Sequence, residues 1–248
     1  MQITGADSRS FLQNLVSNDI DALTPENPLY SCLLSPQGKV MFDFFLYQHA
    51  DAILIDVSRE SRPLLEKRLG FYKLRADVTI SAEEMTVSAI WGSAPEPAET
   101  IFPDPRHSAL GFRALNLTPQ SANKTLKDYI AHRLALGICE GQGEIDPNSA
   151  FPLEYRLDHL NAIAFQKGCF IGQEVTSRAY RKGQLRKQIF PVAITGKAQI
   201  GDTIKAGDRR VGEIRAICGD QAVALIRLDA SHDALNTDQA DITIKPMS

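Results

Sequence analysis

The sequence predicts an α+β fold with a small all-β unit at its C-terminal end. Three observations carry this. The first hundred residues hold apolar runs of strand length separated by short turns. Isolated helical stretches are scattered among them rather than alternating regularly with them. From about residue 186 onward, helix signals nearly vanish and short strands follow one another. A chain of 248 residues accommodates one large or two smaller domains and buries a sizeable core without disulfides. The expected division is a core over 1–185 and a barrel over 186–248.

In chain order, "DSRSFLQNLVSN" (7–18) places Phe11, Leu12, Leu15 and Val16 on one helical face, with Asp7 or Ser8 as its cap. Strands follow at "LYSCLL" (29–34), "KVMFDFFLY" (39–47) and "AILIDV" (52–57), the first two joined by a turn at "PQG" (36–38). "SRPLLEKRLG" (61–70) reads as a helix with Ser61 near its cap, Pro63 in its first turn and Gly70 as its stop. "ADVTIS" and "MTVSAIW" are strands, and the four prolines of 92–108 make that stretch a loop. A strand at "LGFRAL" and a helix over 121–137, ended by Gly137, complete the core. In the barrel, "KQIFPVAITG", "DTIKAG", "RRVGEIRAIC", "QAVALIRLD" and "DITIKP" are strands, with turns at "AGD" (206–208) and "CGD" (218–220).

The composition is that of an ordinary soluble globular protein, 44% hydrophobic and 23% charged. A formal net charge of -3 gives no global attraction to nucleic acid or anionic membranes. No apolar run reaches the roughly eighteen residues of a membrane span, and the start lacks a basic and apolar leader, so a cytoplasmic location is expected. The four cysteines, Cys32, Cys139, Cys169 and Cys218, are dispersed and form no CxxC, unlike a zinc or iron–sulfur site, so no resident metal is expected. Phosphate-binding, dinucleotide, zinc-protease and serine-hydrolase motifs are all missing.

Four features carry candidate chemistry. In "KGCFIGQE" (167–174), Cys169 stands between glycines, close to Lys167 and just before a helical stretch. A thiol there reads as an activated nucleophile or ligand, or as a small packed residue beside a turn. Asp43 lies inside an apolar strand and shares a face with Met41 and Phe45 by alternation. Such a carboxylate is costly unless paired, and reads as an acceptor for a ligand nitrogen, a general base or a structural partner of an Arg. Arg133, next to His132, suits a bidentate carboxylate or simply the C-terminal end of a helix. Arg178, Arg181, Lys182, Arg186 and Lys187 form a basic run with no acid between 175 and 189. It suits a polyanion, an acidic protein or solvent, and its single aromatic, Tyr180, makes RNA stacking unconvincing.

"KGCFIGQE" also resembles the K-G-C-[FY]-x-G-Q-E signature of YgfZ-type folate-binding proteins, relatives of the aminomethyltransferase (T-protein) of glycine cleavage. "FLQNLVSNDI", "LLSPQGKVMFDFFLY", "DPRHSALGFRAL", "HRLALGICEG…FPLE", "VGEIRAI" and "ALIRLD" extend the resemblance over nearly the whole chain. It implies an aminomethyltransferase-like fold, two intertwined α/β subdomains with antiparallel sheets plus a C-terminal barrel, around tetrahydrofolate. It implies folate contacts from Asp43, Arg133, Gln173, Glu174 and Arg178, and chemistry from Cys169 with Lys167 and Asp43. The expected role is maturation or repair of iron–sulfur enzymes by a monomer that meets its clients transiently. The alternative is a folate-dependent aminomethyltransferase or demethylase. Against it, the transferases' Asp-Asp pair reads Phe42-Asp43 here, and Ala135 replaces their acid after the Arg.

Overall fold

A computed structural model describes all residues except 97, 99, 118–122, 184 and 248. In chain order it holds β1 (Gln2–Thr4), α1 (Ser8–Gln13), β2 (Leu29–Leu34), β3 (Val40–His49), β4 (Ala52–Asp56), α2 (Arg62–Lys73), β5 (Thr79–Ser81) and β6 (Val87–Ile90). Then come β7 (Ile101–Pro103), β8 (Phe112–Leu115), α3 (Leu126–Ala135) and α4 (Gln173–Lys182). The barrel strands are β9 (Lys187–Gly196), β10 (Thr203–Ala206), β11 (Arg209–Cys218), β12 (Gln221–Arg227), β13 (Leu235–Asn236) and β14 (Ala240–Ile244).

A five-stranded sheet in the order β2-β3-β4-β1-β5 separates two cores. On one face Leu33, Phe42, Phe44, Leu46 and Ile55 pack with Leu12 of α1 and Leu65 and Leu69 of α2. On the other, Tyr30, Cys32, Phe45 and Tyr47 pack with Leu134 of α3 and with Leu153, Leu157 and Phe170. β3 is buried along its first eight residues, which is why its sequence reads as a continuous apolar run. A three-stranded sheet, β6-β8-β7, flanks this body, and the last six strands close into a barrel in the order β10-β11-β12-β9-β14-β13.

The strands lie close to where the hydrophobic pattern puts them; the differences are local and physical. α1 is confined to Ser8–Gln13, and the Asp7 carboxylate accepts from the Asp77 backbone N–H at 2.8 Å instead of capping that helix. α2 runs through Gly70 to Lys73, because Tyr72, beyond the glycine, still packs on the core. β7 lies inside the proline-rich stretch read as loop, where Pro103 pairs with Phe112 at the sheet edge. The helix expected over 121–137 is seen as α3 behind a Thr125–Asp128 capping box; residues 121–122 lie outside the described residues. Met41 does not share a face with Asp43. A register shift pairs Leu33 with Phe42 but Leu34 with Val40, and this bulge turns Met41 into the opposite core.

Candidate functional site

The residues singled out by the sequence fall into two groups. The first is the 167–174 loop and α4. Lys167 is buried, and its ammonium donates to the carbonyls of Gln13 (2.7 Å), Val16 (2.9 Å) and Asn18 (2.7 Å). It thus closes the C-terminal end of α1, where helix carbonyls lack partners. Burial pushes its pKa down to about 8, opposed by Asp19 and Asp21, so it stays largely protonated at neutral pH. All three of its donors are used, and the expectation that it acts on the neighbouring thiol is corrected: Lys167 is an anchor.

Beyond it Cys169 is exposed, whereas Cys32, Cys139 and Cys218 are buried. The next two side chains point apart, Phe170 into one core and Ile171 against the other. Gly172 then takes φ +81° at the N-cap of α4, and a Cβ there would meet the Ser35 carbonyl oxygen at 2.6 Å. The thiol is therefore presented to solvent by a loop fixed on both sides. The Gln173 side-chain amide donates to the Lys167 carbonyl at 3.4 Å, and Glu174 and Arg178 pair with each other at 2.6 Å on the exposed face of α4. These three were expected to contact folate; none of them reaches Asp43 by a hydrogen bond or ion pair among the described residues.

The second group surrounds Asp43. Its Oδ2 accepts from the Tyr30 hydroxyl at 2.8 Å and from the Gly141 N–H at 3.0 Å. Burial pushes its carboxyl up, and these two donors oppose the shift. Next to it stands a set of buried charges that the sequence reading missed. Arg106 donates to both Asp104 oxygens (2.9 and 2.7 Å), to Glu140 (2.5 Å) and to the Tyr129 hydroxyl (2.8 Å). Arg113 donates to Asp56 (2.6 Å) and Tyr47 (3.0 Å), with its guanidinium 3.7 Å from the centre of the Phe45 ring. Burial alone would raise the Glu140 carboxyl; Arg106, Arg133 and Arg113 outweigh it and hold the group well below the usual range. Their signals in the sequence are slight: Asp104 and Arg106 in "DPRH", Arg113 in the strand "LGFRAL" and Glu140 in "CEG".

Arg133 belongs to this second group, and both its terminal nitrogens are taken, while its buried Nε finds no hydrogen-bond partner among the described residues. It grips Glu144 at 2.6 and 2.9 Å and the Ile138 carbonyl at 2.6 Å, so it shapes the 138–144 loop that carries Gly141 to Asp43. The expectation of a free guanidinium for a ligand carboxylate is corrected accordingly. His132 stacks on Trp91, with ring centres 5.4 Å apart. A cleft of about 320 Å³ opens beside Asp43, lined also by Ser58, Arg113, Glu140, Gly141 and Gln142. That is the low end of the range of small-molecule sites, roughly 300–1,000 Å³. Among the described residues, no group of three or more His, Cys, Asp or Glu is placed to hold a metal ion, and no helix is long and apolar enough to cross a membrane.

Comparison with known proteins gives the chain its family and its fold. Residues 186–247 match the family described as the CAF17 C-terminal beta-barrel domain. The chain is 30% identical to the mitochondrial iron–sulfur cluster assembly factor IBA57 of Mus musculus, over 92% of this chain and 75% of that one. For the Homo sapiens protein of the same name the identity is also 30%, over 91% and 74%. The chain belongs to the IBA57 family. A solved structure, the glycine cleavage system aminomethyltransferase T from Bartonella henselae, superimposes with a TM-score of 0.73 over 99% of this chain and 82% of its own, at 13% identity. The fold of this IBA57-family chain is thus the aminomethyltransferase-like one, with a closed C-terminal barrel.

Tetrahydrofolate fits the second group in part. Asp43 Oδ1 takes no donor from the described residues and belongs to a carboxylate lining the cleft, which suits the N–H edge of a pterin ring. The glutamate tail of a folate needs a cation, and the guanidiniums of this group, Arg106, Arg113 and Arg133, are already paired with Asp104, Asp56 and Glu144.

Proposed function

We propose that this chain is an accessory factor in the maturation or repair of iron–sulfur enzymes, with Cys169 as its working thiol and tetrahydrofolate held beside Asp43. The observation that carries the reading is that Cys169 is the one exposed cysteine of four, displayed on a loop anchored in both cores. Iron–sulfur cluster assembly is the role named for the IBA57 relatives. The test is to assay iron–sulfur enzymes in cells lacking the protein, complemented with wild type or Cys169→Ser. Restoration by wild type alone supports the role of Cys169, and equal restoration by both removes it. The folate component is tested by titrating tetrahydrofolate calorimetrically; no heat and no thermal shift at millimolar ligand excludes it.

A second reading, a folate-dependent aminomethyltransferase or demethylase, is favoured by the fold and by Asp43. Phe42, which stands where the transferases carry the first acid of a pair, packs with Phe44 in the opposite core. Purified protein that forms no methylene-tetrahydrofolate from an aminomethyl donor rules this reading out.

A further inference from the structure

We propose that the exposed face of α4, together with the Lys39–Phe151 rim beside it, is a docking surface for an acidic protein, with Cys169 at its edge. The proposal rests on the accessory-factor reading and specifies how the partner is recognised. Helical spacing puts Glu174, Val175, Arg178, Arg181 and Lys182 on one side of α4, and all five are exposed. Thr176 and Ser177 face inward. Arg178 is paired with Glu174, but Arg181 and Lys182, and Arg186, which is exposed four residues beyond the end of α4, make no ion pair among the described residues.

The surface continues across the turn between β2 and β3. Gly38 packs so closely on α4 that a Cβ there would meet Val175 Cβ at 2.9 Å. Next to Gly38, the Lys39 ammonium lies 4.6 Å from the centre of the Phe151 ring and donates to the Ser149 carbonyl. Val175 and Phe151 are 40% and 37% exposed, so a modest apolar centre stands among cations. Cys169 lies at the N-terminal end of the same helix, upstream of its Gly172 cap. An apolar centre with a charged rim is the general anatomy of a transient protein interface.

Charge selects the class of partner. The chain carries a net charge of -3, yet this face is cationic, which favours a carboxylate-rich surface and steers its approach. Two other anionic classes fit less well. A single-stranded nucleic acid needs free aromatic rings on which to stack bases. Tyr180 is already stacked on Phe165, with ring centres 4.0 Å apart. A membrane surface needs a larger apolar face than Val175 and a Phe151 covered by Lys39 provide.

The test has two arms. In the first, a fluorescent Glu/Asp-rich 20-residue peptide, a single-stranded RNA of equal charge and anionic phosphatidylglycerol vesicles are titrated against the full chain. Wild type is expected to bind the peptide in preference, and the peptide to slow alkylation of Cys169. The triple variant R181E/K182E/R186E is expected to bind it about tenfold more weakly. RNA or vesicles binding more tightly than the peptide, or a triple variant that binds the peptide as wild type does, overturns the proposal. In the second arm, the triple variant is expressed in cells lacking the protein, with folding verified by thermal melting. Poor rescue of iron–sulfur enzymes, improved by R181K/R186K in place of the reversals, supports docking. Full rescue by the triple variant in cells that have a defect overturns docking alone. Cells without any defect overturn the accessory-factor reading instead.

Discussion

Replacing Lys167 with Met separates an anchoring lysine from a catalytic one. Methionine keeps most of the buried apolar stem and removes the ammonium, leaving the Gln13, Val16 and Asn18 carbonyls without their donor. The Val16 bond is fully buried, and an unsatisfied buried acceptor costs about 1–3 kcal/mol. The other two bonds are partly buried, so water replaces part of what is lost. Ending α1 without its cation removes roughly a further 0.3–1 kcal/mol. The sum is about 3 kcal/mol, a fall in Tm of roughly 6–12 °C for a chain of this size. Urea and thermal unfolding at pH 7 measure it. The rate at which iodoacetamide alkylates native Cys169 is expected to change by less than about twofold, because the ammonium is held by carbonyls. A variant with wild-type stability and a thiol alkylated tenfold more slowly refutes the anchoring argument and returns Lys167 to the chemistry.

The two glycines flanking Cys169 should respond differently. Gly172→Ala forces a side chain into φ +81° and against the Ser35 carbonyl, costing about 2 kcal/mol or more by urea unfolding, while Gly168→Ala, with nothing within 4 Å, stays within about 0.5 kcal/mol of wild type. Glu140→Gln tests the buried charges. Its folded carboxyl lies below the unfolded value, near 4.5, so its contribution is present above that pH and is lost as the pH falls. The variant leaves Arg106 still held by Asp104, so it should lose roughly 1–3 kcal/mol at pH 7 and show a flatter decline in stability between pH 7 and pH 3 than wild type. Asp43→Asn should abolish the stabilisation by tetrahydrofolate, which for wild type is about 2.7 kcal/mol at a hundred times the dissociation constant; an unchanged shift removes Asp43 from the folate site.

Much of the fold is legible because burial imposes a period on the sequence. β9, β10 and β11 are apolar runs that end at or beside Gly196, Gly207 and Gly219, so their limits emerge to within a residue or two. Where that regularity breaks, the reading fails for reasons that can be named. Gly70 looks like a helix stop, but packing of Tyr72 beyond it offsets the cost of a glycine inside α2. Alternation puts Met41 beside Asp43, and one bulge, invisible in sequence, moves it to the other core. Lys167 sits two residues from Cys169 in the chain, yet its ammonium is committed to a helix end some 150 positions earlier. Arg106 and Glu140 are 34 residues apart and meet in the folded chain, where the guanidinium is buried and the carboxylate reaches it from the cleft.

By itself the sequence determined the fold class, the barrel and the loop that bears Cys169, because strand and helix periods, turns and a short Gly-Cys motif are local properties. Tertiary structure alone decided that Cys169 is exposed while three other thiols are buried, that Arg133 and Lys167 spend their charges on the protein, and that Asp43 opens on a cleft. Exposure and pairing depend on which distant segments pack together, and local pattern does not encode that.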